Sequence, residues 1–252
     1  MSSAQVTTSR RVGIFDAIRG FSVVSMVLFH LCYDLTQLYG VQLGWFCSPF
    51  EDVWRASISW TFVLIAGCMT AFTRDNLRRA AKYLLVAFVI YLVTSVAAVD
   101  VPISFGIIYC MGASTLTYGV LEKAGCRPKG LPCAIACLVA FLLLLNVSRG
   151  TVGLAGFNLS LPRQFYSMEW FSWLGFPGPT FASGDYYPLL PYLMLYLVGA
   201  CLGDQLKDKG CPNWAQGVNI APLNFVGRHA LLVYVIHQPL ILVLCEIAAA
   251  IG

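Results

Sequence analysis

Charged residues are scarce in this sequence. They make up 11% of the 252 residues, whereas hydrophobic residues make up 58%. Because a soluble globular domain is about 25% charged, this composition excludes an ordinary soluble enzyme and indicates a protein embedded in a lipid bilayer. The net charge of +4 is small, and we expect no nucleic-acid partner.

Motifs for metals and nucleotides are absent as well. The ten cysteines are scattered, and no CxxC or Cys/His spacing of a metal site is present. We therefore expect the cysteines to be small buried hydrophobic residues. Neither a Walker loop nor a GxGxxG motif occurs, so the sequence does not indicate a nucleotide-binding fold. We predict no metal and no resident cofactor.

Long apolar runs, in contrast, fill most of the chain. A membrane-spanning helix needs about 20 largely apolar residues. We predict an all-α, polytopic membrane bundle in a single domain, 1–252, with about seven spanning helices. The candidate spans are residues 14–39, 54–73, 79–98, 102–121, 131–147, 187–204 and 226–249.

The distribution of Lys and Arg predicts the orientation. With the N-terminus in the cytoplasm, 13 of the 16 basic residues lie at or near the inner face. Only Arg55, Arg149 and Arg163 lie outside. Cytoplasmic loops carry an excess of basic residues, so we predict a cytoplasmic N-terminus. We expect the segment 10–39 to be an uncleaved first anchor, since its charges are unlike a signal-peptide core.

That first segment carries a polar face. On a helix each residue turns by about 100°. Counted from Asp16, Arg19 falls near ~300°, His30 near ~320° and Asp34 near ~0°. Ionisable groups inside a bilayer usually face the bundle interior and mark a site. His30 and Asp34 are one turn apart in the outer half, where Asp34 can orient His30 as a general base; a structural His–Asp pair is the alternative.

The last apolar segment holds the other two histidines. His237 lies in mid-membrane beside Gln238, and Tyr234 is one turn earlier. Pro239 removes a backbone hydrogen bond and is expected to kink this helix. We interpret these residues as a polar pocket in which His237, Tyr234 and Gln238 line the site. A hydrogen-bonded packing histidine is the alternative.

Basic residues near the inner face form a candidate anion site. The turn TRDNLRRAAK supplies Arg78, Arg79 and Lys82, and the first and last helices supply Arg19 and Arg228. Guanidinium and ammonium groups bind phosphates well. Positive-inside topology also accounts for these residues, and Arg19 can form an ion pair with Asp16.

The longest loop, 148–186, is rich in Gly, Pro and aromatic residues. Loops of this length are uncommon unless they are functional or disordered. We expect an ordered external cap, or an aromatic belt at the membrane interface. Asp185 ends this loop, where it either caps the helix that follows or contacts an external substrate.

Six segments in order carry a family resemblance. The chain resembles the bacterial heparan-α-glucosaminide N-acetyltransferase catalytic-domain family. The matching segments are the opening pattern R-x(4)-D-x-x-R-G-x(5)-M-V-x-F-H-x-x-Y-D-L, WTFVLIAG at 60–67, the basic turn 75–82, ISFGIIYCMG at 103–112, DYYPLLP at 185–191 and GRHALLVYVIHQP at 227–239.

The resemblance implies a mechanism. Such proteins take an acetyl group from cytosolic acetyl-CoA and deliver it to an amino or hydroxyl group of a sugar or glycoconjugate on the other side. It implies that inner Arg and Lys side chains hold the CoA phosphates and that His30 meets the acceptor. Animal members carry Asn at the position of His30, which implies an acceptor other than heparan sulfate here.

A proton-coupled small-molecule transporter is the alternative function. A polar helix face with His and Asp and a Pro-kinked helix also suit such a carrier. Against it, the sequence shows no inverted repeat. In either case we expect a multi-pass protein of the inner, cytoplasmic membrane, and the chain could pair as a homodimer.

Overall fold

The computed structural model describes residues 12–98, 100–154 and 156–251. Apolar runs become helices in all of the predicted spans, and two short strands pair within the long loop 148–186. The helices are α1 (Gly13–Gln37), α2 (Phe50–Cys68), α3 (Asn76–Ala97), α4 (Ile107–Lys123), α5 (Gly130–Leu144), α6 (Leu189–Asp208), α7 (Asn213–Gly217), α8 (Ala221–Arg228) and α9 (Ala230–Ile251), and the strands are β1 (Thr151–Leu154) and β2 (Phe157–Ser160).

Among the described residues, six helical segments are long and apolar enough to cross a membrane. They confirm the predicted polytopic all-α class. They are Gly13–Gln37, Phe50–Phe72, Asn76–Ala97, Gly130–Arg149, Leu189–Asp208 and Ala230–Ala250. The predicted span 102–121 corresponds to α4, which has 17 residues and therefore lies at the short end of the spanning range of about 17–25.

The chain divides into two compact units. Unit 1 comprises residues 1–62 and 210–252, and unit 2 comprises residues 63–209. The boundary falls within α2. Unit 1 therefore brings the first and last helices of the chain together, while unit 2 holds α3 to α6.

In unit 1, α1 and α9 run in the same direction. His30 contacts His237, Asp34 bonds to Gln238, and Tyr39 bonds to Glu246, so residue numbers rise together along both helices. First and last spanning helices that run in parallel require an odd number of crossings, and α4 would be the seventh. The predicted number of seven stays a prediction.

The predicted final span, 226–249, is two helices. α8 ends at Arg228, His229 adopts a φ of −107° and a ψ of 19°, and α9 begins at Ala230. α8 packs closely on α1 because glycines replace side chains at the contact. A Cβ on Gly20 would lie 1.9 Å from the Leu223 carbonyl oxygen, and one on Gly227 would lie 1.9 Å from that of Asp16. Small residues allow helix backbones in membranes to approach in this way.

In unit 2, glycines also allow two helix backbones to pack closely. A Cβ on Gly199 would lie 2.1 Å from the Leu64 carbonyl oxygen, and one on Gly67 would lie 2.0 Å from that of Tyr196. α6 therefore packs directly on the C-terminal part of α2. The buried interior of this unit contains a polar pair, since the hydroxyls of Thr115 and Tyr196 are 2.8 Å apart.

The long loop is an ordered segment. Near its beginning, β1 pairs with β2 in an antiparallel hairpin. Side-chain hydrogen bonds stabilise the remainder of the loop. Glu169 accepts hydrogen bonds from the Thr180 amide (2.9 Å) and hydroxyl (2.8 Å), and the Tyr186 hydroxyl donates to the Ser172 carbonyl at 2.7 Å. Burial raises the pKa of the Tyr186 hydroxyl, which therefore stays protonated and able to donate at neutral pH.

Candidate active site

Two imidazoles meet inside unit 1. The ring centroids of His30 on α1 and His237 on α9 are 5.0 Å apart, with the ring planes inclined at 62°. His237 is 6% exposed, and the His30 ring also contacts the ring of Phe29, which belongs to an apolar cluster. The structure therefore brings together the two histidines that the sequence placed on separate helices.

The tautomer of His237 follows from its hydrogen bond. Its Nδ1 atom lies within hydrogen-bond distance of the Tyr234 carbonyl oxygen. A carbonyl oxygen only accepts, so Nδ1 carries the hydrogen and the Nε2 lone pair of the neutral ring is left as an acceptor. Nε2 is buried and has no hydrogen-bond partner among the described residues. A buried acceptor of this kind can take up a proton from a neighbouring group.

Asp34 bonds to the last helix. Its carboxylate, on a residue 1% exposed, accepts a hydrogen bond of 2.7 Å from the Gln238 side-chain nitrogen. This bond joins α1 to α9 one helical turn from His30. The predicted role of Asp34 in orienting His30 stays a prediction.

The predicted lining residues lie beside this pair. The Tyr234 ring centroid is 5.6 Å from that of His237, and Gln238 follows His237 directly. The Gln238 side-chain oxygen is buried and has no hydrogen-bond partner among the residues that the structure describes. A substrate amide, hydroxyl or ammonium group could donate to this oxygen.

A further polar contact lies beyond Asp34. The Tyr39 hydroxyl donates a 2.8 Å hydrogen bond to the Glu246 carboxylate. Sequence reasoning did not select either residue. The signal was present, because Glu246 is an ionisable side chain within the final apolar run, and such residues in membrane helices usually mark function.

The basic residues of unit 1 lie near the start of α1. Arg19 donates to Asp16 at 3.3 Å and to the Gly227 carbonyl at 3.3 Å, so it joins α1 to α8. The predicted pair of Asp16 with Arg19 is therefore present. Arg228 is exposed at the end of α8. Of these two cations, Arg228 is the one that is open to an external phosphate.

The basic residues of unit 2 separate into two kinds. Arg78 is 87% exposed in its side chain and pairs with Asp75, and Lys82 is exposed. Arg79 points inward instead, where it donates to the Ala66 carbonyl at 2.8 Å and lies over the Tyr83 ring. Arg79, predicted to bind substrate, therefore satisfies a carbonyl near the end of α2.

Asp185 lies at the start of α4. Its carboxylate accepts a 3.1 Å hydrogen bond from the Ile107 amide there. A negative charge at a helix N-terminus is stabilising. The contact ties the end of the long loop to α4.

The two adjacent arginines yield a stability prediction. Replacing Arg79 by alanine leaves the buried Ala66 carbonyl without its donor, and we expect a loss of about 1–3 kcal/mol in the free energy of unfolding. Replacing the exposed Arg78 is expected to change it by less than about 0.5 kcal/mol. Thermal unfolding of both variants in detergent tests this. Equal stability of the two variants would contradict the structural role of Arg79.

An imidazole pair with one buried and one half-buried ring, set in a multi-pass membrane bundle, is suited to acyl transfer within a membrane. Residues 11–239 match the family model described as heparan-alpha-glucosaminide N-acetyltransferase, catalytic. The match covers most of the chain, and the protein belongs to this family of membrane acetyltransferases, which use acetyl-CoA. No curated protein and no solved structure was found to match the chain.

Proposed function

We propose that this protein moves an acetyl group from cytosolic acetyl-CoA to an amino or hydroxyl group of an extracytoplasmic sugar or glycoconjugate, across the cytoplasmic membrane. Family membership supports the donor and the reaction type. The observation that carries the proposal is the contact of His30 with His237, whose centroids are 5.0 Å apart, because acyl transfer needs a base at the acceptor.

The reaction needs one bond made, one broken and a proton removed. The acceptor nitrogen or oxygen attacks the thioester carbonyl carbon, the new N–C or O–C bond forms, and the C–S bond breaks to release CoA. In our proposal His30 removes the acceptor proton as the general base, and His237 Nε2 shares that proton. A positioned base of this kind typically contributes about 10²–10⁴ in rate.

Asp34, Gln238 and Tyr234 would support this chemistry. The buried Asp34 carboxylate stabilises positive charge on the nearby imidazoles, and Gln238 holds that carboxylate at 2.7 Å. The Tyr234 carbonyl fixes the ring orientation of His237. The side chains of His237, Tyr234 and Gln238 would line the acceptor and the developing oxyanion.

The CoA phosphates would be held by exposed cations at the inner face. Arg78, Lys82 and Arg228 are exposed, and we propose them as phosphate ligands, with Arg19 near the entrance. Arg79 is removed from this set because its guanidinium is engaged within unit 2. Asp185 is likewise engaged with the α4 amide.

Turnover of purified protein tests the proposal. With acetyl-CoA as donor and glucosamine as acceptor probe, we expect saturable release of CoA thiol and a rise in melting temperature with acetyl-CoA, because a ligand that binds the folded state stabilises it. Omitting the acceptor is the control. If acetyl-CoA neither releases thiol nor shifts the melting temperature at high concentration, the enzyme proposal fails and a proton-coupled carrier becomes the better hypothesis.

A further inference from the structure

Polar contacts continue from the imidazole pair toward one end of α1. Three levels join α1 to α9: His30 with His237, Asp34 with Gln238, and Tyr39 with Glu246. We call these six side chains the α1–α9 ladder. His30 and Tyr39 are nine residues apart, so the ladder spans about 14 Å at 1.5 Å per residue. Its far end, by the predicted orientation, is at the outer face.

The proposed reaction leaves a proton to dispose of when the acceptor is an amine. An amino sugar is an ammonium ion near neutral pH, and its nitrogen loses two protons on becoming an amide. The departing CoA thiolate takes one of them. The second must leave a site in which His237 is buried and His30 is half-buried.

We propose that the α1–α9 ladder carries this proton from the imidazole pair to the aqueous face at Tyr39 and Glu246. The proposal rests on the function proposed above and adds Tyr39 and Glu246 as relay residues. His30 takes the proton from the acceptor, His237 shares it, Asp34 accepts it next, and Glu246 delivers it to solvent. No oxidant or further reactant is needed, since only a proton moves.

Each level has a property that a proton path requires. Asp34 is buried and lies one helical turn from His30, so it stands between the imidazoles and the next level. Glu246 is exposed four residues before the end of the last spanning segment, Ala230–Ala250, and we place it where protons exchange with solvent. The pKa of Tyr39 is raised to about 12, chiefly by its hydrogen bond to Glu246, so the phenol keeps its hydrogen and remains the donor to the Glu246 carboxylate.

Four titratable groups lie close together at this end of the ladder. Tyr39 donates to the Glu246 carboxylate from the end of α1, and the charges of Asp34 and Cys245 are close enough to act on Tyr39 as well. Of the four, Glu246 is the exposed carboxylate, and we propose it as the group that exchanges with bulk water.

The decisive variant is Glu246→Gln, which keeps the size of the side chain and removes its titration. In vesicles loaded with glucosamine and given acetyl-CoA outside, we expect kcat to fall by about tenfold or more, since general acid–base steps are worth about 10²–10⁴. We expect partial rescue by a high lumenal concentration of imidazole, which can carry the proton instead. Tyr39→Phe should show a smaller loss with the same rescue.

The matched control is Glu51→Gln, which removes a carboxylate from the start of α2, outside the ladder. It should keep wild-type kcat. The proton path is ruled out if the Glu246→Gln and Tyr39→Phe variants both turn over at the wild-type rate. It is also ruled out if both variants lose activity together with thermal stability and imidazole does not restore the activity. If the wild-type protein releases no CoA with glucosamine, the proposed function itself fails. This result differs from the two outcomes that rule out the proton path, because in those the wild-type protein is active.

Discussion

Replacing His30 by alanine is expected to lower acetyl transfer by about 10²–10⁴-fold while leaving the protein folded. The ring removes the acceptor proton in our mechanism, and no other side chain of α1 offers a neutral nitrogen at that level. The ring is half-buried, so its loss should cost little stability. Release of CoA thiol at saturating acetyl-CoA and glucosamine measures the effect, and the melting temperature reports the fold.

The third histidine supplies a matched control. His229 is exposed at the corner between α8 and α9, and its Nδ1 atom contacts the Phe225 carbonyl. His229→Ala should therefore keep wild-type turnover. His237→Ala should lose about as much as His30→Ala, and the double variant should lose little more, because residues that act as a unit are not additive. Wild-type turnover by His30→Ala would rule out the imidazole pair as the base.

The helices could be predicted from the sequence because each apolar run has the length of a membrane crossing. The break at His229 could not. Apolar residues continue on both sides of it, and no proline stands between Gly227 and Ala230, so the run 226–249 reads as one helix. The close approach of α8 to α1 is a tertiary contact, and the local sequence does not contain it.

The candidate site was predicted as a set of residues but not as a set of bonds. Spacing along one helix predicted Asp34 one turn from His30, but it could not predict the hydrogen bond that Asp34 accepts from Gln238 on α9. A helical count gives the face of each residue and says nothing about the register between two helices. For the same reason Glu246 was missed, although it pairs with Tyr39 across the same interface.

Charge type alone could not separate Arg78 from Arg79 either. Both follow the helix-capping Asp75, and both read as phosphate ligands or as positive-inside residues. Adjacent residues on a helix are separated by about 100° of rotation. On α3 this rotation directs the Arg78 guanidinium outward and the Arg79 guanidinium toward the Ala66 carbonyl. Which side of α3 is covered depends on helices distant in sequence, and the local pattern does not contain that information.

Replacing Gly20 by valine is expected to cause the largest loss of stability. Even a single Cβ there would lie 1.9 Å from the Leu223 carbonyl oxygen and 2.7 Å from the Leu223 carbonyl carbon. Both are backbone atoms that cannot rotate away, so α1 and α8 must separate. Overpacking costs about 1–3 kcal/mol and occasionally more. We expect valine to reach or exceed the top of that range, and alanine to fall within it.

Gly44→Ala is the control, since nothing lies within 4 Å of a Cβ at that position, and its melting temperature should stay near that of the wild type. Gly227 offers a sharper test. A Cβ there would lie 3.0 Å from the Gly20 amide nitrogen, so one shift of α8 relieves both substitutions. The double alanine variant should therefore lose less stability than the two single losses together. Simple additivity would mean that the two glycines do not share one helix contact.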